Sequence, residues 1–267
     1  MTNPLTLTND DRGVATLTLN RPTVHNAFNA ELIAELSAVF DRVARDGTRI
    51  LVLTGAGHSF SAGADLNWMR SMAEGSEADN RADARRLASM LRKLDQLPCP
   101  TIARINGHAF GGGVGLIAAC DFSVAMDSAL FGLTEVRLGL APATIAPFVI
   151  QKIGVQHARR LMLTGERFNA ALANRIGLIG KVVGVGKLDS TVGEIIDLLQ
   201  AGGPHAQGHV KELIRLVTSH SGDPDALDRQ TSELIAALRV SREGQEGLNA
   251  FLEKRQPSWI DDGKEKG

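Results

Sequence analysis

Two segments rich in small residues have the composition of a backbone anion site. Residues 60–66 are Phe-Ser-Ala-Gly-Ala-Asp-Leu, and residues 105–116 contain Gly111, Gly112 and Gly113. Each segment follows a predicted strand and opens a predicted helix, so free backbone N–H groups and the positive end of a helix face whatever binds in the turn. Together the two turns can hold one oxyanion. The alternative is that the glycines serve only close packing of strand against helix.

Other kinds of site have little support in the sequence. Neither segment matches GxxxxGK[ST], and residues 111–115 do not give GxGxxG in the required register, which argues against a phosphate loop or a dinucleotide site. His25, His58 and His108 lack metal-ligand spacing, and Ser61 lacks a GxSxG context. We therefore predict no metal site and assign structural roles to these four side chains.

The elements that must position these turns alternate between strands and helices. Short apolar or alternating runs predict strands over residues 14–20, 49–55, 101–105, 121–125 and 129–131. Between the first two, Asn29 is a predicted N-cap, followed by apolar residues at helical spacing. This alternation predicts an α/β core. Beyond about residue 144 helices dominate, and we divide the chain into a core over 1–200 and a helical region over 201–267.

Composition excludes several classes of protein. The chain has 267 residues, 43% of them hydrophobic, and 28 glycines, where average usage predicts about 19. A net charge of -1 argues against a nucleic-acid-binding surface. No import signal is visible, the apolar runs at 114–120 and 138–150 are too short to span a membrane, and we expect a cytoplasmic protein. Cys99 and Cys120 lack CxxC spacing and are predicted to be buried thiols.

Five motifs in order carry a resemblance to a known family. They are Asn-Arg-Pro at 20–22, Asn-Ala at 26–27, Ser-Ala-Gly-Ala-Asp-Leu at 61–66, Asn-Gly-His-Ala-Phe-Gly-Gly-Gly at 106–113 and Glu-Val-Arg-Leu-Gly-Leu-Ala-Pro at 135–142. Over nearly its whole length the chain resembles the enoyl-CoA hydratase/isomerase, or crotonase, superfamily. The resemblance implies an α/β fold in which ββα units form a spiral. It also implies a C-terminal helical region used for trimerisation, often as a dimer of trimers.

The resemblance also implies a set of site residues. The N–H groups of Ala64 and Gly112 would bind the thioester oxygen of an acyl-CoA, and Glu135 would transfer a proton at the α-carbon. The CoA moiety would lie along Ala62, Ala64, Asp65 and Leu66. No separate cofactor is implied, because CoA is part of the substrate.

Two residues near the carboxyl terminus complete the implied CoA site. Phe251 and Lys254 match the Phe-x-x-Lys pattern that, in this family, reaches CoA from a neighbouring subunit. Lys254 would then act as a point charge for phosphate. Its alternative is a lysine on a solvated helix.

One position departs from the family pattern. Members that use two carboxylates have a second glutamate three residues after the middle glycine, where this chain has Gly115. Other segments, including the carboxyl-terminal 239–255, resemble bacterial methylglutaconyl-CoA hydratases and their relatives that act on isohexenylglutaconyl-CoA. We therefore expect a branched, carboxylated enoyl-CoA, for which Gly115 would leave room. Arg70 or Arg137 would meet the substrate carboxylate.

Two alternative functions remain open at this point. A Δ3-Δ2 enoyl-CoA isomerase needs only one glutamate to move one proton between carbons. A protein that binds acyl-CoA or RNA without catalysis is the other, although the retained Glu135 and the balanced charge count against it.

Overall fold

The computed structural model describes residues 3–260, which form ten strands and ten α-helices. The strands are β1 (Leu5–Asn9), β2 (Val14–Leu19), β3 (Ile50–Gly55), β4 (Ser59–Ser61), β5 (Thr101–Ile105), β6 (His108–Phe110), β7 (Phe122–Met126), β8 (Leu130–Gly132), β9 (Arg167–Asn169) and β10 (Lys181–Val183). The helices are α1 (Ala30–Val43), α2 (Leu66–Glu74), α3 (Glu77–Asp95), α4 (Gly112–Ala119), α5 (Ala146–Thr164), α6 (Ala170–Arg175), α7 (Leu188–Gln200), α8 (Pro204–Ser219), α9 (Pro224–Val240) and α10 (Arg242–Leu252). Short 3-10 helices cover Pro22–Val24 and Glu135–Leu138.

A six-stranded sheet forms one side of the core. Its spatial order is β1-β2-β3-β5-β7-β10, and all neighbours are parallel except β1 and β2. Alternate residues of β3 serve two cores. Leu51 and Leu53 belong to the main core, whereas Ile50 and Val52 pack in a second cluster with residues of α7. Burial on both faces explains the continuous apolar run of this strand.

A smaller sheet positions the residues of the candidate site. Its spatial order is β4-β6-β8-β9, with β4, β6 and β8 parallel to one another. The carboxyl ends of parallel neighbours meet at one edge. Three segments singled out in the sequence leave the sheet at that edge: Ala64 follows β4, Gly112 follows β6 and Glu135 follows β8.

The chain builds both sheets by repetition. In the pairs β3-β4, β5-β6 and β7-β8, the first strand joins the larger sheet and the second joins the smaller one, and helices follow each pair. The predicted α/β alternation and the predicted N-cap are confirmed, since the Asn29 side chain accepts a hydrogen bond from the Leu32 N–H at 2.9 Å. Strands β1, β4, β6, β9 and β10 were not predicted. Strands β4, β6, β9 and β10 have three residues each, too few to show a period.

Helix α8 is fixed to the core by a buried lysine. Lys211 of α8 donates to Asp121 at 2.7 Å and to the Cys99 carbonyl at 3.1 Å, and its side chain is almost completely buried. Helix α7 ends at Gln200, but the division of the chain into parts 1–200 and 201–267 stays a prediction. Residues 1–2 of the first part and 261–267 of the second lie outside the described range. Between residues 3 and 260, no helix is long and apolar enough to cross a membrane.

Both cysteines are buried and free, as predicted. Burial raises the pKa of Cys99 to about 11 and that of Cys120 to about 12. Thiols with such pKa values stay protonated near neutral pH and are weak nucleophiles.

Candidate active site

The two glycine-rich turns are in direct contact. Gly63 has a φ of +85° and Gly111 a φ of +49°, values that side-chain-bearing residues rarely adopt. A Cβ on Gly63 would lie 2.9 Å from the Phe110 carbonyl oxygen and 3.6 Å from the Gly111 Cα. Only glycine fits this contact. The contact brings Ala64, which follows Gly63, close to Gly112, which follows Gly111.

Phe28 supports both turns. Its N–H donates to the Gly63 carbonyl at 2.6 Å and its carbonyl accepts from the Asp65 N–H at 2.8 Å, so Ala64 lies between the two bonds and its own N–H points away from Phe28. The Phe28 ring covers Gly112, where a Cβ would lie 2.5 Å from the ring carbon Cε2.

The N–H groups at the two turns are free to bind a ligand. Gly112 is the first residue of α4, so its N–H lies outside the helical hydrogen-bond ladder. Within residues 3–260, neither this N–H nor that of Ala64 donates a hydrogen bond. Two such donors at one place suit an oxygen that becomes negatively charged.

Glu135 lies over one of these turns. Its Oε1 is 3.0 Å from the point where a Cβ on Gly111 would stand. Its Oε2 is buried and has no hydrogen-bond partner among the described residues. Burial raises the pKa of Glu135 above the usual 4.5. A carboxyl group with a raised pKa is a better base when ionised and can return the proton when neutral.

An ion pair fixes the turn that carries Ala64. Arg21 contacts Asp65 at 2.9 Å and also donates to the Ala27 carbonyl. Asp65 caps α2 by accepting from the Asn67 N–H at 2.9 Å. Burial raises the pKa of Asp65, but the hydrogen bonds from Asn67 and Arg21 outweigh it, so the net pKa is lowered. The Asp65 side chain is thus engaged within the protein.

The expected room beside Gly115 does not exist. A Cβ on Gly115 would lie 2.4 Å from Cγ2 of Ile145, 3.0 Å from its Cβ and 3.6 Å from Cδ1 of Leu91. Ile145 is only 1% exposed. The expectation that this glycine leaves space for a substrate branch or carboxylate was therefore wrong, because the isoleucine side chain fills the volume.

Comparison with known proteins decides the family. The family model described as "Enoyl-CoA hydratase/isomerase" matches residues 9–262. The chain belongs to the enoyl-CoA hydratase/isomerase family. A solved enoyl-CoA hydratase from Shewanella pealeana superposes with a TM-score of 0.92 at 44% identity, covering 96% of each chain. The crotonase-like α/β fold is thereby confirmed.

Curated relatives of this family member include both reaction types. A trans-2-decenoyl-[acyl-carrier-protein] isomerase from Streptococcus mutans is 33% identical over 259 residues, covering 95% of this chain and 97% of the relative. A short-chain-enoyl-CoA hydratase from Clostridium acetobutylicum is 32% identical over 250 residues, covering 91% and 92%. This chain is therefore an enzyme of the enoyl-CoA hydratase/isomerase family.

The remaining residues that the family resemblance assigned to CoA lie at several places on the surface. Leu66 is 71% exposed at the start of α2, and the Ala62 N–H donates to the His25 carbonyl at 2.9 Å. Phe251, near the end of α10, is 79% exposed, and Lys254 follows that helix with a φ of +56°. Contact of these residues with CoA stays a prediction.

The other singled-out polar residues have defined contacts. Ser61 donates to the Asn26 carbonyl at 2.9 Å, and His108 Nδ1 accepts from the Leu130 N–H at 3.0 Å. Arg70 is exposed and donates to Asn67 at 3.0 Å, and Arg137 is exposed. In the described part of the chain, no three histidine, cysteine or acidic residues cluster so as to hold a metal ion.

Sequence reasoning missed three residues to which the structure draws attention. Phe28 and Ile145 contact the site glycines from distant positions in the chain. Trp68, on α2, is partly buried against the main core, and its indole Nε1 is buried without a hydrogen-bond partner within residues 3–260. For these three residues, the one signal in the sequence was the aromatic residue at position 28, directly before the N-cap Asn29.

Proposed function

We propose that this enzyme hydrates a branched, carboxylated enoyl-CoA, converting 3-methylglutaconyl-CoA into 3-hydroxy-3-methylglutaryl-CoA in leucine degradation. The observation that carries the proposal is the buried Oε2 of Glu135, which has no hydrogen-bond partner within residues 3–260 and lies beside the turns that present the two free N–H groups. A carboxylate oxygen in this position needs a hydrogen-bond donor, and a water molecule supplies one.

One glutamate completes the reaction in this proposal. The Glu135 carboxylate takes a proton from the water held at Oε2 while the water oxygen attacks the β-carbon. The electron pair of the double bond moves toward the thioester and forms an enolate, whose oxygen accepts hydrogen bonds from Ala64 and Gly112. Protonated Glu135 then transfers the proton to the α-carbon. One water is added, and the carboxylate is restored.

Helix α2 is the proposed site for the distal carboxylate of the substrate. It begins directly after the Ala64 turn and carries Trp68, whose buried N–H has no hydrogen-bond partner in the described part of the chain. Exposed Arg70 lies on the same helix and bonds only to Asn67 of that helix among the described residues. By contrast, the Arg137 stem packs against Gly165, where a Cβ would lie 3.2 Å from its Cγ. We therefore favour Trp68 and Arg70 over Arg137.

The proposed CoA site extends to a second subunit. Phe251 and Lys254 of one subunit would contact CoA bound along residues 62, 64, 65 and 66 of its neighbour. Their exposure in the single chain is compatible with this. The assembly proposed is a homotrimer or a dimer of trimers, with no cofactor beyond the CoA of the substrate.

A second candidate function is Δ3-Δ2 isomerisation. It is favoured by the single carboxylate, because moving one proton between two carbons of a dienolate requires only one acid-base group. The filled volume beside Gly115 is equally compatible with this reaction.

Steady-state kinetics on four thioesters separate the candidates. We expect hydration of 3-methylglutaconyl-CoA, with isohexenylglutaconyl-CoA and crotonyl-CoA turned over less efficiently, and no fast conversion of a 3-enoyl-CoA. Conversion of the 3-enoyl-CoA to a conjugated product without hydration would favour the isomerase. Binding of CoA thioesters without turnover would favour a non-catalytic role.

Trp68→Phe should raise KM for methylglutaconyl-CoA more than for crotonyl-CoA, which lacks the distal carboxylate.

A further inference from the structure

A glycine inside a helix meets a buried isoleucine in the packing beside the site. Gly115 lies inside α4, where glycine costs roughly 0.5–1 kcal/mol relative to alanine. Ile145 directly precedes α5 and has helical backbone angles, with φ -94° and ψ -18°. The glycine is not explained by its own helix.

The contact with Ile145 explains the glycine at position 115. The Cβ that Gly115 lacks would lie 2.4 Å from Cγ2 of Ile145, so the isoleucine methyl group occupies the place of a side chain at 115. Isoleucine is branched at Cβ and stiff in χ1, so Cγ2 cannot move away as the end of a flexible chain would. Ile145 and Leu91 are both almost completely buried. A side chain at position 115 would therefore collide with Ile145.

We propose that Ile145 is a specificity-determining residue that, paired with Gly115, keeps the site at one carboxylate. This inference rests on the proposed function, because it concerns how the same site handles water. Replacing Ile145 with glycine removes the methyl group that blocks position 115. A glutamate introduced at position 115 should then fit and assist Glu135. Such an enzyme would gain hydration of unbranched substrates.

A stability cycle tests the packing without reference to activity. Gly115→Ala should lower the Tm of the wild-type protein, although alanine is the better helix former, because its Cβ meets Ile145. In the Ile145→Gly background the same substitution should raise the Tm. The same sign in both backgrounds would overturn the pairing.

Activity of matched double variants tests the specificity role. Gly115→Glu with Ile145→Gly should hydrate crotonyl-CoA with a kcat at least about tenfold above Gly115→Gln with Ile145→Gly, which has the same shape without the charge. Equal rates, or a Glu variant that does not fold while the Gln variant does, would contradict the inference. If wild type fails to hydrate methylglutaconyl-CoA, the proposed function fails, and the sign of the Tm change still decides the pairing.

Discussion

The Glu135 carboxylate lies directly over Gly111, with Oε1 3.0 Å from the position that a Cβ on Gly111 would occupy. Gly111 immediately precedes the N–H of Gly112, and its own φ of +49° places that N–H at the start of α4. The proton-transfer group and one anion donor therefore depend on the same glycine.

Gly111→Ala should reduce kcat by about a hundredfold, because a Cβ displaces Glu135 and disturbs the turn. Gly186→Ala is the control, since Gly186 also has a positive φ (+79°) and no described residue lies within 4 Å of an added Cβ. Both variants should lose stability, measured by thermal unfolding. Equal kcat losses would show that backbone strain alone is responsible.

The pH dependence of kcat/KM should report the raised pKa of Glu135. As a base, this residue must be ionised in the free enzyme, so activity falls as the pH drops through its pKa. Since burial raises that pKa, the acid limb should lie above the usual 4.5. An acid limb at or below 4.5, measured where the fold is intact by circular dichroism, would count against this assignment.

Glu135→Gln should also change stability, with a sign that depends on pH. The folded pKa is raised, so the stability that the protonated carboxyl contributes is present below the unfolded pKa and is lost as pH rises through the folded pKa. Glutamine does not ionise. The variant should therefore have a higher Tm than wild type at neutral pH, and the difference should shrink below about pH 4.5. A constant difference across this range would contradict the burial argument.

Local signals in the sequence were enough to predict the turns of the site. Glycines after strands predicted the meeting of Gly63 and Gly111, and Asn29 predicted the start of α1. The sequence could not predict that Ile145 fills the volume over Gly115, because these residues are far apart and neither belongs to a local pattern that names the other. Strand β10 is likewise defined by pairing with β7, a partner distant in the chain.

Lys254 offers a test of CoA binding across subunits. Its φ of +56° suits glycine, so Lys254→Gly removes the charge without a conformational cost. We expect KM for CoA thioesters to rise several-fold while kcat and Tm stay close to wild type, with Lys254→Arg as the control that keeps the charge. Sedimentation should show a trimer or hexamer for all three proteins. An unchanged KM would leave Lys254 as a solvated helix-end lysine.

Hydration of 3-methylglutaconyl-CoA by wild type and by Glu135→Gln tests the central claim most directly. We predict that wild type forms 3-hydroxy-3-methylglutaryl-CoA with a kcat/KM above that for crotonyl-CoA, and that Glu135→Gln lowers kcat by about 10²–10⁴-fold with the fold unchanged. Turnover retained in Glu135→Gln, or a wild type that prefers crotonyl-CoA, would contradict the account.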